Sequence, residues 1–125
     1  MSDIRAGTIG DTAGTGPITL TGQSAPKAWC NFDGTATTGT ASMTSVRGSL
    51  NISSVVDIST GSNLLNYTNS FANVNYSASS GTNVANNSFG GNYYLANQFL
   101  VATQDSDGTS VDAGIVAFIA VGDLA

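Results

Sequence analysis

The chain has 125 residues, enough for one domain, and its hydrophobic content of 41% can supply a core, which argues against general disorder. Its acidic residues are eight Asp and no Glu, set against three Lys or Arg, and the net charge of −5 disfavours nucleic acid and anionic membranes as partners. Histidine is also absent, so the commonest general base and metal ligand is missing. We therefore expect no enzyme activity, no catalytic residue, and no metal or cofactor.

The single cysteine, Cys30, excludes an internal disulfide framework, and we expect it to be a small buried hydrophobe and not a reactive thiol. The chain has no basic segment followed by an apolar run at its start, and no apolar run of about 18 residues anywhere. We expect a protein made in the cytoplasm, without a secretory signal and without membrane insertion.

The first 26 residues differ from the rest, because small residues dominate, both prolines occur there, and apolar anchors are sparse. We predict an extended N-terminal arm over residues 1–26 and one folded domain over residues 27–125. Ordering of the arm by a neighbouring chain and a mobile tail are both open. The candidate contacts from the arm to other chains are Ile4, Ile9, Ile18 and Leu20.

Helix formers are scarce, and runs with strand character recur at short spacing between Gly, Asn, Asp and Ser. This pattern predicts an all-β protein, an antiparallel β-sandwich that is jelly-roll-like and carries the extended arm. The predicted strands are Ile18–Gly22, Ala28–Asp33, Thr44–Leu50, Ser54–Ser59, Leu64–Thr68, Val74–Ser80, Tyr93–Thr103 and Ser110–Val121.

The strand around the only tryptophan has two different faces. In extended conformation Ala28, Cys30 and Phe32 point one way, whereas Trp29 points the other. Packing of the Trp29 ring in the core and a contact from this ring to another chain are both open.

The stretch Ser79–Tyr94, SSGTNVANNSFGGNYY, is predicted to be a surface loop that contacts a receptor. Asn amides and aromatic faces suit sugar hydroxyl groups and C–H faces, although a merely flexible loop is the alternative. The candidate contact residues are Asn83, Asn86, Asn87, Phe89, Asn92, Tyr93 and Tyr94.

The C-terminal run DAGIVAFIAVGD has apolar residues on both faces, which predicts a strand buried on both sides. The run Tyr93–Gln104 precedes it, and Asp105–Gly108, DSDG, is a favoured tight turn. We predict a C-terminal hairpin in the core. For Asp105 and Asp107 the turn is favoured over an ion site.

Three segments in this order resemble a module of tail-fibre-like and other virion proteins of tailed bacteriophages, particularly marine ones. They are GTGPITLTGQSAPKAWCNFDGTAT at 14–37, VRGSLNISSVVDISTG at 46–61 and FANVNYSASS at 71–80. Cys30 departs from the pattern, which has a β-branched residue there. The resemblance implies a non-enzymatic, β-rich component of the virion that forms oligomers, most often homotrimers, and contacts other virion proteins.

Two functions fit this resemblance. The first is a tail-fibre-like component that docks through its N-terminal arm and contacts a glycan or protein of the host surface. The second is a capsid decoration protein, head fibre or small tail adaptor that stabilises the particle. The absence of a repeat that could build a shaft favours the second.

Overall fold

The computed structural model describes residues 25–84 and 87–125, with the side chains of all of these except residues 87–93. This part of the chain is all-β, as predicted: two antiparallel sheets of four strands each, with a short 3-10 turn at Gly34–Ala36. The strands are β1 Ala28–Phe32, β2 Val46–Leu50, β3 Ile52–Ser59, β4 Ser62–Tyr67, β5 Ser77–Thr82, β6 Asn87–Leu95, β7 Gln98–Gln104 and β8 Val116–Val121.

The first sheet has the strand order β2-β1-β8-β5, and the second has the order β3-β4-β7-β6. The predicted arm lies outside the described residues except for Ala25 and Pro26. The predicted strand Ile18–Gly22 and the candidate contacts Ile4, Ile9, Ile18 and Leu20 also lie outside them.

The core lies between the two sheets and follows the period of two that extended strands impose. Ala28, Cys30 and Phe32 of β1 are buried, which confirms the predicted inward face of this strand. From the second sheet, Phe99 meets Phe118 of β8, with ring centroids 4.8 Å apart. Aromatic contact across the layer therefore holds the two sheets face to face.

Cys30 is buried and free, as predicted. Burial raises the pKa of its thiol to about 12, because the charged thiolate would lose its hydration in the core.

The predicted C-terminal hairpin is wrong, because β7 and β8 belong to different sheets. The tight turn itself forms: the Gly108 N–H donates to the Asp105 carbonyl at 3.1 Å, and Gln104 pairs with Ser110 beyond it. Residues 111–115 then carry the chain to the first sheet, where β8 pairs with β1 and β5. The turn residues set a local reversal, whereas the partner of β8 is set by packing across the core.

The predicted strand Tyr93–Thr103 is two strands, because a turn at Ala96 and Asn97 separates β6 from β7. These two strands pair with each other, and the register shifts between Gly90 and Tyr94. The hairpin expected at the C-terminus is thus found one strand earlier in the chain.

Candidate interaction surface

The outer face of the β2-β1-β8-β5 sheet carries large apolar side chains that point away from the core. Two rows of residues cross it, as the strand register shows. The first row is Leu50, Trp29, Ile119 and Ser79, and the second is Gly48, Asn31, Ala117 and Gly81. We call these eight residues the outer face.

Three neighbouring members of the first row are substantially exposed: Trp29 at 40%, Leu50 at 47% and Ile119 at 42%. The prediction that β8 is buried on both sides is therefore wrong for the described chain, since only its Val116, Phe118 and Ala120 face is buried. The physical reason is that the second sheet covers only the inner side of β8. The apolar residues on the outer side of β8, such as Ile119, are exposed among the described residues. For Trp29, core packing is likewise wrong, because its ring lies on the outer face.

The Trp29 ring leans towards β2 and lies over Gly48. A Cβ atom placed on Gly48 would lie 3.2 Å from Cη2 and 3.3 Å from Cζ3 of the indole. Because Gly48 has no side chain, the ring can lie in this position without being lifted from the sheet. The ring therefore projects above β1 and β2, which we call the raised half of the outer face.

The half of the outer face formed by β8 and β5, which we call the low half, lies below the height of the Trp29 ring, because β5 carries only small residues. A shallow hollow of about 310 Å³ opens there, lined by Ser79, Ser80, Gly81, Ala117, Phe118 and Ile119. A Cβ atom placed on Gly81 would have no neighbouring atom within 4 Å. The small residues of β5, SASSGT, thus leave space beside the apolar row.

The strands that form the outer face carry no acidic side chain, although the whole chain has a net charge of −5. At the end of the face, Nη2 of Arg47 lies 3.0 Å from Oδ2 of Asp33 and donates to the Gly114 carbonyl at 2.7 Å. Asp33 also accepts from the Thr35 hydroxyl, and this bond and the Arg47 charge hold the pKa of its carboxyl below the usual range.

A second concave region, the terminal cleft, adjoins the outer face at Leu50. It is an open cleft of about 730 Å³, lined by Pro26, Lys27, Leu50, Asn51, Thr68, Asn69, Asp123, Leu124 and Ala125. The Asn51 amide shapes one wall, accepting from the Asn69 N–H at 2.7 Å and donating to the Asn69 carbonyl at 2.9 Å. The cleft is thus lined by apolar and polar side chains together, with one charged side chain of each sign, Lys27 and Asp123.

The stretch Ser79–Tyr94 is mostly strand and not the predicted loop. β5 continues to Thr82 and β6 begins at Asn87, so residues 83–86 alone connect them. Asn83 is tied to the backbone of Ile115: its Oδ1 accepts from the Ile115 N–H at 2.9 Å, and its own N–H donates to the Ile115 carbonyl at 3.2 Å. This amide braces the end of β5 against the segment that leads into β8.

Tyr94 is half-buried and packs with the core, which corrects its assignment to an exposed loop. Its ring stacks on Tyr76 with centroids 4.6 Å apart and meets Phe99 edge-on at 4.9 Å, and its hydroxyl donates to the Tyr76 carbonyl at 3.1 Å. Asn86 lies outside the described residues. Asn87, Phe89, Asn92 and Tyr93 lie in β6, and their side chains are outside the description.

Asp105 serves the turn, as predicted, since its Oδ1 accepts from the N–H groups of Asp107 at 3.0 Å and Thr109 at 2.9 Å. Among the described residues no group of three or more His, Cys, Asp or Glu is placed to hold a metal ion. Within the same ranges no helix is long and apolar enough to cross a membrane.

Leu50, Ile119 and Gly81 were not selected from the sequence as contact residues. The available signal was the apolar pattern on both faces of β8, which indicates that this strand needs a second neighbour. No family model, curated protein or solved structure matches this chain.

Proposed function

We propose that this protein is a non-enzymatic component of a tailed-bacteriophage virion, tail-fibre-like, that works by binding copies of itself and other virion proteins. The observation that carries the proposal is the outer face, where Leu50, Trp29 and Ile119 form one exposed apolar row. The order of sequence segments that resembles phage virion proteins supports the same conclusion.

Single exposed apolar residues are common on protein surfaces, but a contiguous exposed apolar surface is characteristic of an interface. Trp is also one of the residues that most often dominate binding at interfaces. The chemistry of the described surface supports binding and not catalysis, because its titratable groups are few and those of the turns serve structural hydrogen bonds.

The second candidate function is a capsid decoration protein, head fibre or small tail adaptor. The absence of a sequence repeat that could build a shaft favours it. The terminal cleft supports docking of a peptide segment of another virion protein, because its lining combines apolar and polar side chains.

The experiment that tests the proposal is localisation on the particle. An antibody against the purified protein is applied to intact virions and imaged by electron microscopy, with labelling competed by free protein as the control. Label at the distal tail supports the tail-fibre-like function, and label on the head or along the tail supports the second candidate. Virions that carry no label at any position would overturn the proposal.

The two candidates also differ in their response to substitutions in the predicted contact residues. In a tail-fibre-like protein, Tyr93→Ala or Asn86→Ala lowers adsorption to host cells while particles still assemble. In a decoration or adaptor protein, adsorption is unchanged, and removal of residues 1–24 releases the protein from particles. Particle yield and adsorption are measured on the same preparations.

A further inference from the structure

We propose that two copies of this chain pack outer face to outer face about a two-fold axis, with the Trp29 ring of each copy in the hollow beside Gly81 of the other. The inference deepens the proposed function, on which it rests for its biological purpose, by naming the symmetry of the contact between copies and the residues that form it. Its geometry is independent of where the protein is found.

The strand order makes the outer face suitable for two-fold pairing. In the order β2-β1-β8-β5, two strands lie on each side of a line that runs between β1 and β8. The Trp29 ring lies over Gly48 on β2, and the hollow lies at Gly81 on β5, in the same row and at the same number of strands from that line. A half-turn about an axis along the line brings each raised half over the low half of the other copy.

The same rotation pairs the remaining side chains, and in the second row it sets the polar Asn31 opposite Ala117. Trp29 and Ile119 occupy the two central strands of the first row, so each Trp29 meets the Ile119 of the other copy at the axis. Leu50 on one edge strand meets Ser79 on the other. Apolar groups thus meet apolar or small groups at every position except Asn31, which is the self-complementarity that an isologous contact requires.

The charges and the size of the face suit a second copy. A sheet without a carboxylate can approach its own copy although the chain is acidic overall. Four strands of five or six residues span about 19 Å by 18 Å, so the two faces together cover about 700 Å², less than the roughly 1,200 Å² of stable specific interfaces. We therefore expect a reversible dimer. A self-complementary face closes after two copies, so the trimer implied by the resemblance is the competing result.

Two substitutions test the contact from opposite sides. Trp29→Ala removes the raised ring, and Gly81→Leu fills the hollow without a clash inside the chain, because the space above Gly81 is open. Each variant is expected to weaken self-association by about tenfold or more. Ile58→Ala is the matched control, because Ile58 is an exposed apolar residue at 56% on the other sheet and should leave association unchanged. Urea unfolding verifies that each variant is folded.

Mixing the two variants gives the sharpest result. In a mixed pair, the intact Trp29 of one copy finds the open Gly81 of the other, and at the second contact Ala in place of Trp29 faces Leu in place of Gly81. The 1:1 mixture is therefore expected to associate more tightly than either variant alone. A mixture no tighter than the single variants would overturn the two-fold arrangement.

Sedimentation equilibrium of the full chain over a range of concentrations measures the association. A mass that rises towards twice the monomer, with Trp29 emission shifting to shorter wavelength in parallel, supports the proposal. A trimer mass, or variants that associate like the wild type, would overturn it. A monomer whose Trp29 emission is at short wavelength at every concentration would also overturn it and would assign the face to a segment of the same chain. None of these results depends on labelling of virions, so the two proposals can fail separately.

Discussion

Gly61 joins the turn between β3 and β4 to β7 and to the segment that follows β7, and replacing it should lower stability for two separable reasons. It lies in the turn between β3 and β4 with φ of +70°, a conformation that favours glycine. Its N–H donates to Oδ1 of Asp112 at 2.6 Å, and its carbonyl accepts from the Thr103 N–H at 2.7 Å. A Cβ atom at this position would lie 2.5 Å from the Thr103 carbonyl oxygen and 2.8 Å from the Val111 nitrogen, both backbone atoms.

Gly108 is the matched control for Gly61→Ala. It has a similar φ of +80°, but a Cβ atom there would meet nothing within 4 Å. Gly108→Ala therefore carries the backbone strain alone, roughly 1 to 2 kcal/mol, reduced by the lower entropy of the unfolded chain. Gly61→Ala adds the overlap with backbone atoms, and crowding of this kind costs a further 1 to 3 kcal/mol, roughly.

The assay is urea unfolding of both variants and the wild type, followed by far-UV circular dichroism at a concentration low enough to keep the chain monomeric. We expect both alanine variants to be destabilised, with Gly61→Ala the worse by about 1 to 3 kcal/mol at unchanged m-value. If the two variants differed by less than about 0.5 kcal/mol, close packing of the turn against Thr103 and Val111 would be refuted as the reason for glycine at this position.

Two further predictions concern buried groups. Tyr76→Phe should lower the free energy of unfolding by about 1 kcal/mol, because the Tyr76 hydroxyl donates to the Leu95 carbonyl at 3.0 Å and accepts from the Tyr67 hydroxyl at 3.3 Å. Thermal unfolding measures this change, and an unchanged melting temperature would contradict the prediction. Cys30 should resist a thiol reagent in the folded protein and react after unfolding. Burial raises the pKa of the Cys30 thiol from 9.0 to about 12, so this thiol ionises at lower pH in the unfolded chain than in the folded one. The free energy of unfolding should therefore fall as pH rises from 9 towards 12. Urea titrations that give the same free energy across this pH range would contradict the prediction.

The layer architecture could be predicted from the sequence because strand period and turn chemistry are local. The alternation in AWCNF assigned Ala28, Cys30 and Phe32 to the core, and all three are buried. The Asp105–Gly108 turn was predicted from its residues and is present. Each of these features depends on residues within a few positions of one another, where side-chain period and backbone preference decide the conformation.

Pairing of strands could not be predicted in the same way. A hairpin of β7 with β8 would have placed Phe99 and Phe118 in one sheet, whereas the fold sets them against each other across the core. Asn63 is a comparable case: it is fully buried on β4, and neither polar atom of its amide has a partner among the described residues. In the β4 sequence SNLLNY, Leu64 and Leu65 are adjacent, so the apolar pattern does not show which of them faces the core. The pairing of β4 with β3 and β7 turns Leu65 inwards, and Asn63 lies on the same side of the strand.

The main error about β8 bears on function. Apolar residues on both faces of a strand predict two covered sides, and the described fold covers only the side of Val116, Phe118 and Ala120. The same strand crosses the middle of the outer face, next to Trp29 on β1. The prediction of burial on the outer side of β8 is therefore wrong for the described fold. If two copies pair as proposed, the neighbouring chain covers Ile119. The exposed apolar surface of Leu50, Trp29 and Ile119 is then the surface that pairing removes from water.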